Sequence, residues 1–153
     1  TVYLIIESFC TLFQLTLKVP KDNACKVKEA NKNCIKKSGE DPEVLQQIIE
    51  DRDKYKEDQR FNNYIYCGQK SLGFGKQDGT VNAKAFSKFF GKPGNKKIKA
   101  VFENCNKMKV EDPKETAARV IDCATKSLEY DYSEYVVLTF VFVKYISFIN
   151  ISK

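Results

Sequence analysis

The chain has no histidine, no tryptophan and a single methionine in 153 residues. The missing histidine excludes Ser-His-Asp and Cys-His catalysis, histidine-ligated zinc and a histidine-based pH switch. Secreted phospholipases and nucleases that use a histidine base are excluded with them. Strong charge clustering is also absent. Lys and Arg number 26 against 20 Asp and Glu, a net charge of +6. The basic doublets are short: Lys36-Lys37, and Lys96-Lys97 with Lys99 nearby. Such a balance fits a solvated surface, whereas a nucleic-acid footprint needs a clustered basic stripe. No nucleic-acid partner is therefore expected. Neither apolar end of the chain reaches the ~18–20 residues of a membrane span. The acid pairs Glu40-Asp41 and Glu111-Asp112 each sit at a helix start, where dipole-favoured capping explains them. Nothing else places two carboxylates together for catalysis. The expectation is a protein that is not an enzyme, with no cofactor and no metal.

What is present divides the chain into three. Residues 1–17 (TVYLIIESFCTLFQLTL) are apolar with one charge, Glu7. They read as a partial secretory signal peptide, with an N-terminal helix or strand packed on the domain as the alternative. Residues 129–153 hold a second apolar run, Val136 to Ile151, interrupted only by Lys144. Its Val, Ile, Phe and Tyr favour a strand. Three readings stay open: a tail folded into a ligand cavity, an extra surface element, or translated non-coding sequence. The two ends hold four acids and two lysines, so the body, residues 18–128, carries 24 basic and 16 acidic residues, net +8.

The body reads as helices. Lys21 to Lys37 carries Ala24, Val27, Ala30, Cys34 and Ile35 at helical spacing. Gly39 stops this helix, and Asp41-Pro42 supplies the cap and first position of the next, with Val44, Leu45, Ile48 and Ile49. A third covers about Asp58 to Leu72, with Phe61, Tyr64, Ile65, Gly68 and Leu72 on one side. Gln77-Asp78-Gly79 is a turn, and Asn82 caps a short helix with Ala85, Phe86, Phe89 and Phe90. Gly91, Pro93 and Gly94 end it. Lys96 to Met108 places Ile98, Val101, Phe102, Cys105 and Met108 on one face. Asp112-Pro113 opens the last helix, with Ala117, Val120, Ile121, Ala124 and Leu128. The fold class is all-α, about six helices with short connections.

Six cysteines in a short chain point to an oxidising, extracellular compartment. In the body they are Cys25, Cys34, Cys67, Cys105 and Cys123, and 32, 37 and 17 residues separate the last four. This spacing on six helices resembles the insect odorant-binding protein family. That family's six-cysteine form has two further cysteines where this chain has Asn63 and Lys114. Their joint absence resembles its Minus-C subgroup, since a lone survivor would be a reactive thiol. The segment Leu72-Gly-Phe-Gly-Lys-Gln-Asp-Gly-Thr-Val-Asn82 is similar to the family's stretch between its third and fourth helices. The resemblance covers about Lys18 to Leu128. It implies disulfides Cys34–Cys67 and Cys105–Cys123, each adding ~3–4 kcal/mol by constraining the unfolded chain. That pairing leaves out Cys25, expected as a small buried apolar residue on the first helix. A bond to Cys34 or to another chain is the alternative.

The resemblance further implies a secreted carrier of small hydrophobic molecules, odorants or pheromones, in an internal apolar cavity. Sensillum lymph or haemolymph would be its compartment, and a chemosensory receptor or a second copy its protein partner. The candidate ligand residues are Leu45, Ile49, Tyr64, Phe74, Phe86, Phe89, Phe90, Phe102, Val120 and Ile121. Phe86, Phe89 and Phe90 lead, because one short helix cannot bury three phenylalanines against backbone alone. The Tyr64 hydroxyl is the candidate to orient a polar ligand head. With no histidine to titrate, affinity is expected to be flat between about pH 5 and 7.5. The rival reading is a secreted interaction protein that uses its basic face and apolar C-terminal run to hold a partner or an anionic surface.

Overall fold

Six helices follow one another among residues 21–51 and 53–128, the residues described in the computed structural model. They are α1 (Lys21–Ser38), α2 (Pro42–Glu50), α3 (Gln59–Ser71), α4 (Ala83–Phe89), α5 (Lys96–Cys105) and α6 (Pro113–Leu128). A short 3-10 turn, Asn106–Met108, continues α5.

The helix starts are set by local chemistry. The first backbone N–H groups of a helix have no partner within it, and a short polar side chain just before them supplies one. The Asp41 carboxylate accepts from Glu43 N at 2.8 Å, and Asp58 accepts from Arg60 N at 2.8 Å. The side-chain oxygens of Asn82 and Asn95 accept from Ala85 N and Ile98 N, each at 3.0 Å. Asp112 accepts from Lys114 N at 2.9 Å. Asp41 and Asp112, members of the two acid pairs, therefore act as caps.

Two sequence expectations are corrected. Met108 does not continue the buried face of α5; it is 44% exposed. The helix tightens to 3-10 geometry at Asn106, which rotates Met108 off that face. The Asn106 amide holds this end in place: Nδ2 donates to Val81 O at 2.9 Å and Oδ1 accepts from Val81 N at 3.0 Å. Cys25 is not a lone thiol; it is disulfide-bonded. The four-cysteine set pairs as the resemblance implies. Cys34–Cys67 ties α1 to α3, and Cys105–Cys123 ties α5 to α6.

Helix α6 packs against both α3 and α5, α1 packs on α3, and α4 on α5. The connector from Leu72 to Asn82 folds back on itself through an isolated antiparallel bridge, Gly75 with Val81, and Val81 is tied to Asn106 at the end of α5. Gly79 turns the connector at φ +88°, a left-handed conformation that glycine adopts without strain. A Cβ there would stand 2.0 Å from the Pro113 carbonyl oxygen, so only glycine lets the turn press against the start of α6. Beside it, Asp78 accepts from Thr80 Oγ1 at 2.6 Å, from Thr80 N at 3.0 Å and from Lys109 Nζ at 2.9 Å. These three donors hold its carboxyl well below the usual carboxylate range.

No helix among the described residues is long and apolar enough to cross a membrane. The expectations for residues 1–17 and 129–153 lie outside the described residues.

Candidate functional site

The buried apolar residues form two clusters. The first holds Phe74 from the connector, Phe86, Phe89 and Phe90 at α4, Phe102 from α5 and Val120 from α6. Val27, Val81, Ile98, Val101, Cys105, Ala124 and Leu128 complete it. The second holds Leu45 and Ile48 of α2, Phe61 and Tyr64 of α3, Cys34 and Ile35 of α1, and Ala118 of α6. Ile65 and Ile121 pack against this second cluster. Helix α6 contributes to both, Val120, Ala124 and Leu128 to one and Ala118 and Ile121 to the other.

The sequence-predicted ligand residues are thus divided. Six of them meet in the first cluster: Phe74, Phe86, Phe89, Phe90, Phe102 and Val120. Leu45, Tyr64 and Ile121 belong to the second. The Ile49 side chain lies outside the described set, although its backbone is part of α2.

Phe86 and Phe89 of α4 and Phe90 at its C-cap are buried against other rings, as their density on so short a segment requires. Phe86 is central. Its ring centroid lies 5.0 Å from Phe74, 4.5 Å from Phe90 and 4.7 Å from Phe102. Phe89 meets Phe74 edge-on at 5.7 Å and Phe90 at 5.1 Å. These tilted and edge-to-face contacts set the positive rim of one ring against the negative face of the next. Asn23 near the start of α1 donates from Nδ2 to Phe89 O at 2.7 Å, which closes α1 over the end of α4.

Tyr64 is 4% exposed and its hydroxyl donates to Asn31 Oδ1. Burial raises its phenol above the ordinary value, so it stays protonated. Asn31 was not among the sequence-predicted residues, yet it is 1% exposed. A signal existed: it stands one turn after Val27 and one turn before Cys34, on the apolar stripe of α1. Asn62 and Gln69, both buried on α3, were also missed.

Lysines are concentrated on the elements that carry the phenylalanines, although Lys99 pairs with Glu103 across one turn at 3.8 Å. Lys84, Lys88, Lys92, Lys96, Lys97 and Lys99 fall between residues 84 and 102, with no acid among them. They run along α4, the following loop and the start of α5.

The described residues form a helical body with one mapped disulfide beside each apolar cluster, Cys105–Cys123 at the first and Cys34–Cys67 at the second. The model of the PBP/GOBP family matches residues 18–127. The chain belongs to that family, the insect odorant- and pheromone-binding proteins. No curated protein and no solved structure matches the chain significantly.

Proposed function

We propose that the protein is a secreted carrier that binds and solubilises small hydrophobic molecules, odorants, pheromones or similar, at the first apolar cluster. The observation that carries this reading is the convergence of five phenylalanines from the connector, α4 and α5 on one buried centre. Phe74, Phe86, Phe89, Phe90 and Phe102 would line the site, with Val120 of α6 behind them. Apolar area removed from water would drive binding, at about 25 cal/mol per Å² before the cost of ordering the ligand. Family membership supports the ligand class.

The chain also fits the Minus-C subgroup. Asn63 on α3 and Lys114 on α6 stand where six-cysteine relatives carry a bond between those helices, and both are exposed. The Cys25 bond does not replace it, because Cys25 lies on α1. One staple fewer between α3 and α6 would leave the site easier to enter and its ligand range broader.

The test is titration with a fluorescent apolar probe. Saturable one-site binding, weakened in Phe89→Ala, supports the carrier. Unchanged affinity in a folded Phe89→Ala protein removes that residue from the site. Absence of any saturable binding removes the carrier reading. The lysines between residues 84 and 102 favour a second reading, docking on an anionic surface or acidic partner. Salt-sensitive attachment to anionic vesicles without probe binding would support it instead.

A further inference from the structure

The Tyr64–Asn31 hydrogen bond leaves one polar atom unused. Asn31 Oδ1 accepts from the Tyr64 hydroxyl, while Asn31 Nδ2 has no hydrogen-bond partner although the residue is 1% exposed. Buried polar groups are nearly always hydrogen-bonded, so such an atom calls for an explanation. Its position suggests one. Val27, one turn earlier on α1, belongs to the phenylalanine cluster; Cys34 and Ile35, one turn later, belong to the second cluster. The amide therefore stands at the seam between the two.

The chemistry of the open atom is set by its neighbour. A protonated, buried phenol that donates to Oδ1 turns that oxygen toward Tyr64 and leaves the NH₂ group outward. What remains is a donor, and its natural complement is an acceptor. The other orphaned side-chain atoms, on Asn62 and Gln69, do not supply one. At 100° per residue these two stand about 160° and 140° around α3 from Tyr64. A buried water would need two to four polar partners, and among the described residues Asn31 Nδ2 is the one orphaned side-chain atom on α1.

We propose that Asn31 Nδ2 is the hydrogen-bond donor of the ligand site, selecting apolar ligands that carry a carbonyl oxygen: ketones, aldehydes or esters. Tyr64 is the positioning residue that fixes the amide. A hydrocarbon would leave the donor unpaired. An alcohol could accept from it but would bury its own hydroxyl proton. The proposal rests on the carrier reading and names its ligand class.

The experiment compares 2-undecanone with 2-undecanol and undecane by displacement of a fluorescent apolar probe from wild type, Asn31→Leu and Tyr64→Phe. In Asn31→Leu the dissociation constant for the ketone should rise about three- to tenfold, the worth of one hydrogen bond, and that for the alkane should not rise. Tyr64→Phe frees the amide to turn, so the preference for the ketone over 2-undecanol should shrink, a change that a purely structural tyrosine would not produce. The infrared C=O stretch of carbonyl-labelled ketone should move to lower frequency on binding wild type. Equal losses for ketone and alkane in Asn31→Leu overturn the proposal, as does a C=O stretch in wild type matching that in alkane solvent. If Asn31→Leu does not fold, the wild-type stretch decides alone. Probe binding with no carbonyl effect defeats this inference and leaves the carrier standing. No probe binding at all defeats both.

Discussion

The two apolar clusters share α6 but are built from different materials. The phenylalanine cluster is made of large flat rings on short elements, α4 and the 72–82 connector, with Phe102 and Val120 from longer helices behind them. The second cluster is made of Leu45, Ile48, Ile35 and Phe61 around the Cys34 end of a disulfide, on α1, α2 and α3. Rings that meet at edges and tilts keep their contacts through modest rotations, and each brings about 150–250 Å² of apolar surface. Branched aliphatic side chains fill their space in close-packed rotamers that leave little room for a guest. The contrast separates two tasks within one small fold. On the carrier reading proposed above, the second cluster would mainly hold the scaffold, with Tyr64 at its edge toward the seam, and the first would offer surface that an apolar guest can share.

The largest expected effects come from trimming each cluster at a fully buried residue. Phe102→Ala should cost about 3–5 kcal/mol and Leu45→Ala about 2–5 kcal/mol in urea unfolding. The distinction lies in what else changes. Phe102→Ala should also weaken an apolar probe, whereas Leu45→Ala should leave affinity nearly intact in the folded fraction. Equal loss of affinity in both would erase the division.

Next come the disulfides, one on each side of the comparison. Cys34 and Cys67 are separated by 33 in sequence, Cys105 and Cys123 by 18. Loop entropy gives about 4 kcal/mol for the first and about 3 kcal/mol for the second. Replacing both partners of each pair by alanine and measuring the unfolding midpoint should show the larger loss at Cys34–Cys67. The reverse order would place the tighter scaffold around the phenylalanines.

The smallest effect concerns Asp78, which anchors the connector of the phenylalanine cluster. Its folded carboxyl titrates below its unfolded value of about 4, so its contribution is complete above that pH. It is lost as pH falls through the lowered folded value. Because Asp78 is partly exposed, the contribution should stay below about 1 kcal/mol. Asp78→Asn should therefore flatten the acid side of the stability curve below about pH 4 and change little at pH 7. An unchanged acid limb would mean that the Thr80 and Lys109 contacts do not bias folding.

Helix boundaries were legible because they are local. Asp41, Asp58, Asn82 and Asp112 bond to backbone groups two or three residues away, and a sequence displays such pairs directly. The density of phenylalanine around α4 was legible for the same reason. The division of the candidate residues was not. Leu45, Tyr64 and Ile121 share apolar character with Phe86 and Val120, and only long-range packing assigns them to another cluster. Met108 was misplaced because the period of a helix was carried across a cap set by Asn106 and Val81, residues 25 apart. Cys25 was misread because a pairing taken from a four-cysteine pattern has no place for it. Asn31 passed unnoticed because a polar residue on an apolar stripe reads as a break in the pattern, not as a buried partner for Tyr64 on another helix.

The carrier account is tested most directly by titrating a fluorescent apolar probe into the wild-type protein and into Phe89→Ala, with helical content checked for both. The account predicts saturable one-site binding in wild type and a clear loss of affinity in a folded variant. Non-saturable partitioning, or no binding by the wild-type protein, would contradict it.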